Sequence, residues 1–146
     1  MKDKEDFLSL LNYCKPLIYG EKTIPFEMRQ LNYHCNPTIN KDRYYSFNIK
    51  KKSGALRTIH APNKGLKVLQ KCLNLILQTV FEPHHSATGF VTGKSVVDNA
   101  RIHIGKNYVY NIDLKDFFPS IEKARICSRL KFPPFNLSNE RAKLAN

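Results

Sequence analysis

The segment from Asn63 to Pro83, NKGLKVLQKCLNLILQTVFEP, most strongly constrains the fold of this chain. Apolar residues recur at helical spacing along one side of it, and polar residues occupy the other. Asn63 is suited to cap such a helix, and Pro83 to close the segment. The apolar side is therefore predicted to be core, formed by Leu66, Leu69, Cys72, Leu73, Ile76 and Val80; the exposed side holds Lys67, Gln70, Lys71, Asn74 and Gln78.

The residues before this helix predict two shorter helices. Apolar residues near the N-terminus indicate a first helix that stops before Pro16. Proline suits the first turn of a helix, so a second helix is expected to begin near Pro25 and to end before Pro37.

A β-hairpin is predicted between these helices and the long one. The alternation of Tyr45, Phe47 and Ile49, followed by Leu56 and Thr58, indicates two strands around a Ser53-Gly54 turn. The lysines Lys50, Lys51 and Lys52 then lie at its tip.

Three elements are predicted after the long helix. A glycine-containing loop leads into a short helix that bears Val96, Val97 and Ala100. A strand follows from Tyr108 to Leu114, and its alternation places Asp113 on the face opposite the apolar residues. A last helix is expected from near Pro119 or Ser120 to about Leu130.

The charge of the chain favours a polyanionic partner. The net charge is +12, and the region from Lys41 to Lys71 contains nine basic residues and one acid, Asp42. Such a patch is either a solvated basic face or a surface for nucleic acid or an anionic membrane.

The remaining composition indicates a soluble, cytoplasmic protein. The four cysteines are scattered without metal-ligand spacing, so free thiols are expected. The N-terminus carries acids and too short an apolar run for a signal peptide, and no stretch approaches a membrane span, so no membrane partner is expected.

The stretch NIDLKDFFPSI carries the most specific chemistry. An aspartate at the end of a strand can bind Mg²⁺, which prefers hard oxygen ligands, although such a residue also serves as a turn former or helix cap. Two phenylalanines, Phe117 and Phe118, follow it closely, whereas ordinary turns favour small polar residues. An aromatic ring in that place could pack against the sugar of a nucleotide.

This stretch closely resembles the first catalytic motif of reverse transcriptases of the bacterial retron and group II intron type. FNIKKKSGALRTIHAPNKGLKVLQKCLNLIL is similar to the fingers hairpin and helix of that family, and ATGFVTGKSVVDNARIH to its next block. The resemblance implies an α+β fold: a fingers subdomain (helices plus a β-hairpin), then the first strand and helix of an incomplete polymerase palm. The implied segments are 1–40 (N-terminal helical), 41–106 (fingers-like) and 107–146 (start of palm).

The resemblance also implies roles for individual residues. Asp113 would be catalytic and would ligate both Mg²⁺ ions of the complete enzyme, with the Leu114 carbonyl as a lesser ligand. The other implied residues bind the nucleotide or nucleic acid. Asp116 and Phe117 would lie under the triphosphate, Phe118 would exclude a ribose 2′-OH, and Lys51 and Arg57 would clamp the phosphates. Lys50 and Lys52 compete with Lys51 for that role and, with Lys94 and Arg101, are expected to contact nucleic acid.

The implied substrates are deoxynucleotides, an RNA template and an RNA–DNA hybrid. The chain lacks the Tyr-x-Asp-Asp hairpin of the family, however, and contains no Asp-Asp pair. One aspartate cannot hold two Mg²⁺ ions in catalytic geometry, so this polypeptide is expected to bind them weakly or not at all and to be inactive by itself. Its unpaired palm strand would favour self-association.

Two other interpretations fit parts of the sequence. The chain could be a non-catalytic RNA- or DNA-binding module that uses the Lys41–Lys71 patch. Alternatively, Asp113 and Asp116 could belong to a phosphatase-like hydrolase, although such a site would need its two acids closer together.

Overall fold

The computed structural model describes residues 3–36, 38–39 and 41–138; the rest of the predicted palm segment, with Glu140, lies outside the described residues. The fold is α+β, as predicted. The elements in chain order are α1 (Lys4–Tyr19), α2 (Met28–Cys35), β1 (Tyr44–Lys50), β2 (Leu56–Pro62), α3 (Lys64–Val80), α4 (Val96–Arg101) and α5 (Lys123–Leu130).

The core lies between α1, α2 and α3. Helix α3 is the amphipathic helix predicted from the sequence, and the Asn63 side chain caps it by accepting a hydrogen bond from the backbone N–H of Leu66. The prediction that Val80 belongs to the core was wrong: Val80 is the last residue of the helix and is exposed. Cys72 is fully buried, and Leu11 of α1 is 1% exposed. These residues share one cluster, which also contains Phe7, Cys14, Phe26, Leu31 and Leu69. Burial raises the pKa values of the Cys14 and Cys72 thiols.

The prediction that α1 stops before Pro16 was wrong. The helix continues to Tyr19 with Pro16 inside it, and the backbone N–H of Gly20 donates to the Pro16 carbonyl. Proline in a helix removes one backbone hydrogen bond, which costs about 3 kcal/mol. The continued helix places Ile18 against the core, so packing beyond the proline offsets this cost.

Helix α2 begins at Met28, three residues later than the sequence predicted. Asn12 of α1 explains the delay, because its side-chain amide donates to the Phe26 carbonyl at 3.0 Å and its oxygen accepts from the Phe26 N–H at 2.6 Å. These two bonds fix the Phe26 backbone outside the helix. The Nζ of Lys15 lies 3.8 Å from the centroid of the Phe26 ring, so α1 contacts both the backbone and the side chain of Phe26.

Helices α2 and α3 approach closely at Gly65. A Cβ atom at this position would overlap the ring of His34, so only glycine fits there. The approach brings the beginning of α3 against α2, and it explains why a residue with low helix propensity occupies the first turn of α3.

The predicted strand from Tyr108 to Leu114 was wrong. Within the part of the chain that the structure describes, the two strands of the hairpin form the sheet, and residues 108–114 belong to no strand. A strand requires a hydrogen-bonded neighbour, and the described residues provide none beside this segment. Its side chains are exposed, including Tyr108, Tyr110, Ile112 and Leu114.

The short helix α4 and the end of α5 at Leu130 agree with the sequence prediction, but the beginning of α5 does not. The helix begins at Lys123 rather than near Pro119, because residues 115–120 form consecutive turns. No helix among the described residues is both long and apolar enough to span a bilayer.

Replacing Leu11 with alanine tests the core. Because Leu11 is almost fully buried, we expect the free energy of unfolding to fall by about 2–5 kcal/mol, as measured by urea denaturation. Leu17→Ala on the same helix is the matched control, since Leu17 is exposed; its effect should stay within about 0.5 kcal/mol. Equal losses for both variants would contradict the assignment of the core.

Candidate nucleotide and nucleic-acid site

The hairpin displays three lysines at its tip. Strands β1 and β2 pair antiparallel from Tyr44↔Pro62 to Lys50↔Leu56. The turn is closed by hydrogen bonds from the Lys51 N–H to the Ala55 carbonyl at 2.8 Å and from the Gly54 N–H to the Lys51 carbonyl at 2.9 Å. Gly54 has a φ of 88°, a value that favours glycine. Lys50, Lys51 and Lys52 are all exposed there.

The register of the hairpin places Arg57 next to this tip. Arg57 lies directly opposite Ile49, and opposite residues of an antiparallel pair project from the same face. Lys50 pairs with Leu56 and therefore projects from the other face. The structure thus brings Lys51 and Arg57, the two predicted phosphate-binding residues, to the same end of one hairpin.

The other end of the hairpin is attached to the helices. The Asn63 N–H donates to the Arg43 carbonyl at 2.8 Å, and the Gln70 side-chain amide donates to the Tyr44 hydroxyl at 2.8 Å. Arg43 in turn contacts the His34 carbonyl at 3.5 Å. The sequence analysis did not predict the contact between Tyr44 and Gln70, because a hydrogen bond between a strand and a helix produces no periodic pattern in the sequence. The attachment fixes the hairpin base on α2 and α3.

Asp113 lies in the exposed segment that precedes the turns at 115–120. Its carboxylate is solvent-accessible and has no ion-pair partner among the described residues. Leu114, the other predicted metal ligand, is also exposed. Asp113 is therefore available to a cation. No hydrogen bond or ion pair within the described residues joins it to the hairpin tip.

The turns after Asp113 have an unusual backbone. Asp116 has a φ of 52°, in the left-handed region that few residues other than glycine adopt. The Ser120 N–H donates to the Asp116 carbonyl at 3.0 Å, and the Ser120 hydroxyl donates to the Phe117 carbonyl at 2.6 Å. These bonds hold the loop in a folded conformation rather than as an extension of the preceding segment.

The two phenylalanines of this loop form an aromatic pair. The ring centroids of Phe117 and Phe118 are 5.3 Å apart with an interplanar angle of 71°, an edge-to-face arrangement. Phe118 is the more exposed ring, whereas Phe117 lines a groove against α5 together with Ile121 and Arg125. Phe118 is thus the more accessible ring of the pair.

Lys94 and Arg101 lie at opposite ends of α4. Ser95 caps this helix, and reciprocal hydrogen bonds with Asp98 form a capping box. The hydrogen bonds from Ser95 hold the pKa of Asp98 below its ordinary value. Arg101 lies 3.7 Å from Asp98 in an exposed ion pair, whereas Lys94 is exposed without one in the described structure.

The metal donors near Asp113 are few. Within the ranges that the structure describes, no three His, Cys, Asp or Glu side chains cluster closely enough to hold an ion. The four cysteines are free thiols, and Cys14 and Cys72 are buried. Among the described residues, Asp113 is therefore not part of a group of three or more such side chains.

The described site therefore consists of a cationic hairpin on a helical base, followed by an exposed aspartate and an aromatic turn. Residues 49–139 match the family described as reverse transcriptase (RNA-dependent DNA polymerase). The match covers more than half of the chain, and the chain belongs to that family.

Three curated relatives show the subgroup that the chain resembles. It is 37% identical over 99 residues to the retron Mx65 reverse transcriptase of Myxococcus xanthus, which covers 68% of this chain and 23% of the relative. It is 41% identical over 91 residues to the retron Mx162 reverse transcriptase of the same organism, a match that covers 60% of this chain and 18% of the relative. It is 36% identical over 89 residues to the retron Ec86 reverse transcriptase of Escherichia coli, a match that covers 58% of this chain and 27% of the relative.

The similarity to reverse transcriptases of the retron type is thereby confirmed. The matched region spans between 18% and 27% of the length of these relatives. No solved structure matches the chain at a significant level.

The hydrogen bond between Gln70 and Tyr44 provides a test of how the hairpin is attached. Tyr44→Phe removes the acceptor, so we expect amide hydrogen exchange near the hairpin base to accelerate by about two- to tenfold, the equivalent of one hydrogen bond. Tyr45→Phe is the matched control, because its hydroxyl has no partner in the described residues. Unchanged exchange in Tyr44→Phe would show that this bond does not hold the hairpin.

Proposed function

We propose that the chain supplies the fingers and the first catalytic motif of an RNA-directed DNA polymerase, which joins deoxynucleotides on an RNA template. The observation that carries this proposal is the exposed, unpaired Asp113 carboxylate beside the aromatic turn, inside the region that matches the family. The proposed segments are 1–40 as an N-terminal helical part, 41–106 as fingers and 107–146 as the start of the palm. The family match favours this function over a non-catalytic binding module.

The donors at Asp113 fit Mg²⁺ in kind but not in number. A carboxylate and the Leu114 carbonyl are hard oxygen ligands of the type that Mg²⁺ accepts. When bound, Mg²⁺ ions would offset the negative charge that develops on the phosphate oxygens during nucleotidyl transfer. One carboxylate does not hold two ions, so the remaining ligands must come from outside the described residues. This chain alone would then bind Mg²⁺ weakly or not at all.

The hairpin tip would bind the phosphates of the incoming nucleotide. Lys51 and Arg57 lie at the same end of the hairpin, and charge-assisted hydrogen bonds from such groups stabilise phosphate oxygens. Lys50 and Lys52 are equally exposed neighbours and remain alternatives for the lysine role.

The turn after Asp113 would hold the rest of the nucleotide. The left-handed backbone at Asp116, within consecutive turns, is the kind of conformation from which backbone N–H groups form concave anion sites. Asp116 and Phe117 would lie under the triphosphate through these groups. The exposed ring of Phe118 would pack against the sugar and exclude a 2′-hydroxyl. Lys94 and Arg101 would contact the backbone of the template or of the RNA–DNA hybrid.

Asp113→Asn in the complete enzyme tests the catalytic role. Removing a metal-binding carboxylate should lower primer extension on an RNA template by at least about a thousandfold, because stabilisation of the phosphoryl charge is lost. Glu82→Gln is the control, since Glu82 is exposed and precedes the site. The 146-residue polypeptide should show no extension in the same assay. Normal activity of Asp113→Asn would refute the proposal.

We also propose that the 146-residue polypeptide self-associates through residues 108–114. The segment is rich in β-formers, and Tyr108 and Tyr110 are 94% and 88% exposed, with no strand beside them in the part of the chain that the structure describes. Unpaired segments of this composition pair readily with another copy. Light scattering should show a mass that rises with concentration, and Tyr110→Lys should reduce it. A monomer over a wide concentration range would contradict this expectation.

A further inference from the structure

Strand β1 of the hairpin carries two exposed aromatic rings that have no part in the proposed binding of phosphates. The ring centroids of Tyr45 and Phe47 are 6.0 Å apart, and the planes differ by 24°. The two side chains are 59% and 44% exposed. An exposed aromatic pair loses the free energy that burial would supply, so its position on the surface requires another explanation.

The rings form part of a continuous apolar surface. Tyr45, Phe47 and Ile49 alternate along β1, and Ile59 and Ala61 lie opposite Phe47 and Tyr45 on β2. The opposite face of the same hairpin is polar, with a Ser46–His60 hydrogen bond of 2.7 Å and a Thr58–Asn48 bond of 2.9 Å. The hairpin is therefore two-sided, and Tyr45, Phe47 and Ile49 on its apolar side are exposed in the described structure.

Positive charge adjoins this surface at one end. Arg57 shares the face with Ile49, and Lys50, Lys51 and Lys52 follow at the turn. No aspartate or glutamate occurs between Arg43 and Phe81, so no carboxylate in that region neutralises these groups. An apolar protein partner would leave the cations unpaired, whereas a polyanion with flat apolar groups satisfies both parts of the surface.

We propose that Tyr45 and Phe47 form a stacking platform for unpaired nucleobases of single-stranded nucleic acid, with its phosphates at the lysine tip. Aromatic side chains beside a basic groove bind single strands in this way, because every base has a π-face. The proposal rests on the proposed function for the nature of the substrate, and it adds the residues that hold the unpaired part of that substrate.

The ring geometry determines how the bases would lie. Residues two apart in a strand are about 6.6–6.8 Å apart, roughly twice the ~3.4 Å spacing of stacked nucleotides. Tyr45 and Phe47 are closer than this, at 6.0 Å between centroids, so no base fits between them. The bases would lie on the outer faces of the rings. A duplex, whose bases are already stacked, could use the lysines but not the rings.

A binding assay on the 146-residue chain separates stacking from charge. The probe is a single strand of about ten nucleotides that contains the fluorescent base 2-aminopurine, of a length suited to such sites. Tyr45→Leu together with Phe47→Leu should weaken binding roughly 5- to 100-fold and abolish the quenching of 2-aminopurine, without changing the salt slope. Alanine at Lys50, Lys51 and Lys52 should instead reduce the salt slope by about 0.7 for each lost phosphate contact.

Matched variants make the assay specific. Tyr45→Phe retains the ring and should bind normally, and Tyr13→Leu makes the same change at an exposed tyrosine of α1, away from the hairpin. Both leucine substitutions on the hairpin are at exposed positions, so circular dichroism should confirm an unchanged fold. Blunt duplex RNA should bind the wild type and the leucine variant equally.

The outcomes distinguish this proposal from the proposed function. If the leucine variant binds and quenches like the wild type, the stacking platform is refuted, while polymerase function is still decided by Asp113→Asn in the complete enzyme. If the wild-type chain binds no single strand even at low salt, the platform is refuted as well. If the leucine variant loses duplex binding equally, the rings act through the fold and the proposal is wrong.

Discussion

The burial of one side of α3 is the interaction on which the rest of the structure depends. Leu69 and Cys72 face α1 and α2, and the closely approaching His34 ring requires glycine at position 65. The exposed side of the same helix carries Gln70, which bonds to the base of the hairpin. One helix therefore both completes the core and orients the hairpin. Loss of packing beneath α3 would also displace the lysine tip, which itself makes no contact with the core.

Stabilising interactions are unevenly distributed along the chain. The buried cluster is drawn from α1, α2, α3 and Phe26 between them, whereas the segment from Asn107 to Ser120 is exposed throughout. Binding and catalytic groups commonly lie on such weakly packed segments attached to a rigid base. The exposure of Asp113 therefore leaves its carboxylate accessible to a ligand.

Much of the fold could be predicted from the sequence because the deciding signals are local. The helical spacing of apolar residues in α3, the Asn63 cap and the Ser53-Gly54 turn each depend on neighbouring residues alone. The incorrect predictions concern segments whose structure is determined by residues far away in the sequence. Ile18 packs against the core, so that α1 continues past Pro16, and Asn12 holds Phe26 outside α2. Among the described residues, no second strand pairs with residues 108–114. For the candidate site, the motif around Asp113 predicts the residues, and their roles stay predictions. The exposure of the Tyr45–Phe47 face, in contrast, could not be predicted from the alternation of apolar and polar residues.

The separation of opposite charges leaves groups of both signs available on the surface. The chain has a net charge of +12, and yet Asp113 is not paired with any of its cations in the described structure. A surface carboxylate that contacts a lysine gains little, about 0–1 kcal/mol, so the absence of such a pair has little effect on stability. It does leave both charges available. Under the function proposed above, a nucleoside triphosphate bound to a divalent cation would present negative oxygens to the lysine tip and positive charge to Asp113, and it would satisfy both groups. A ligand of one sign would satisfy only one of them.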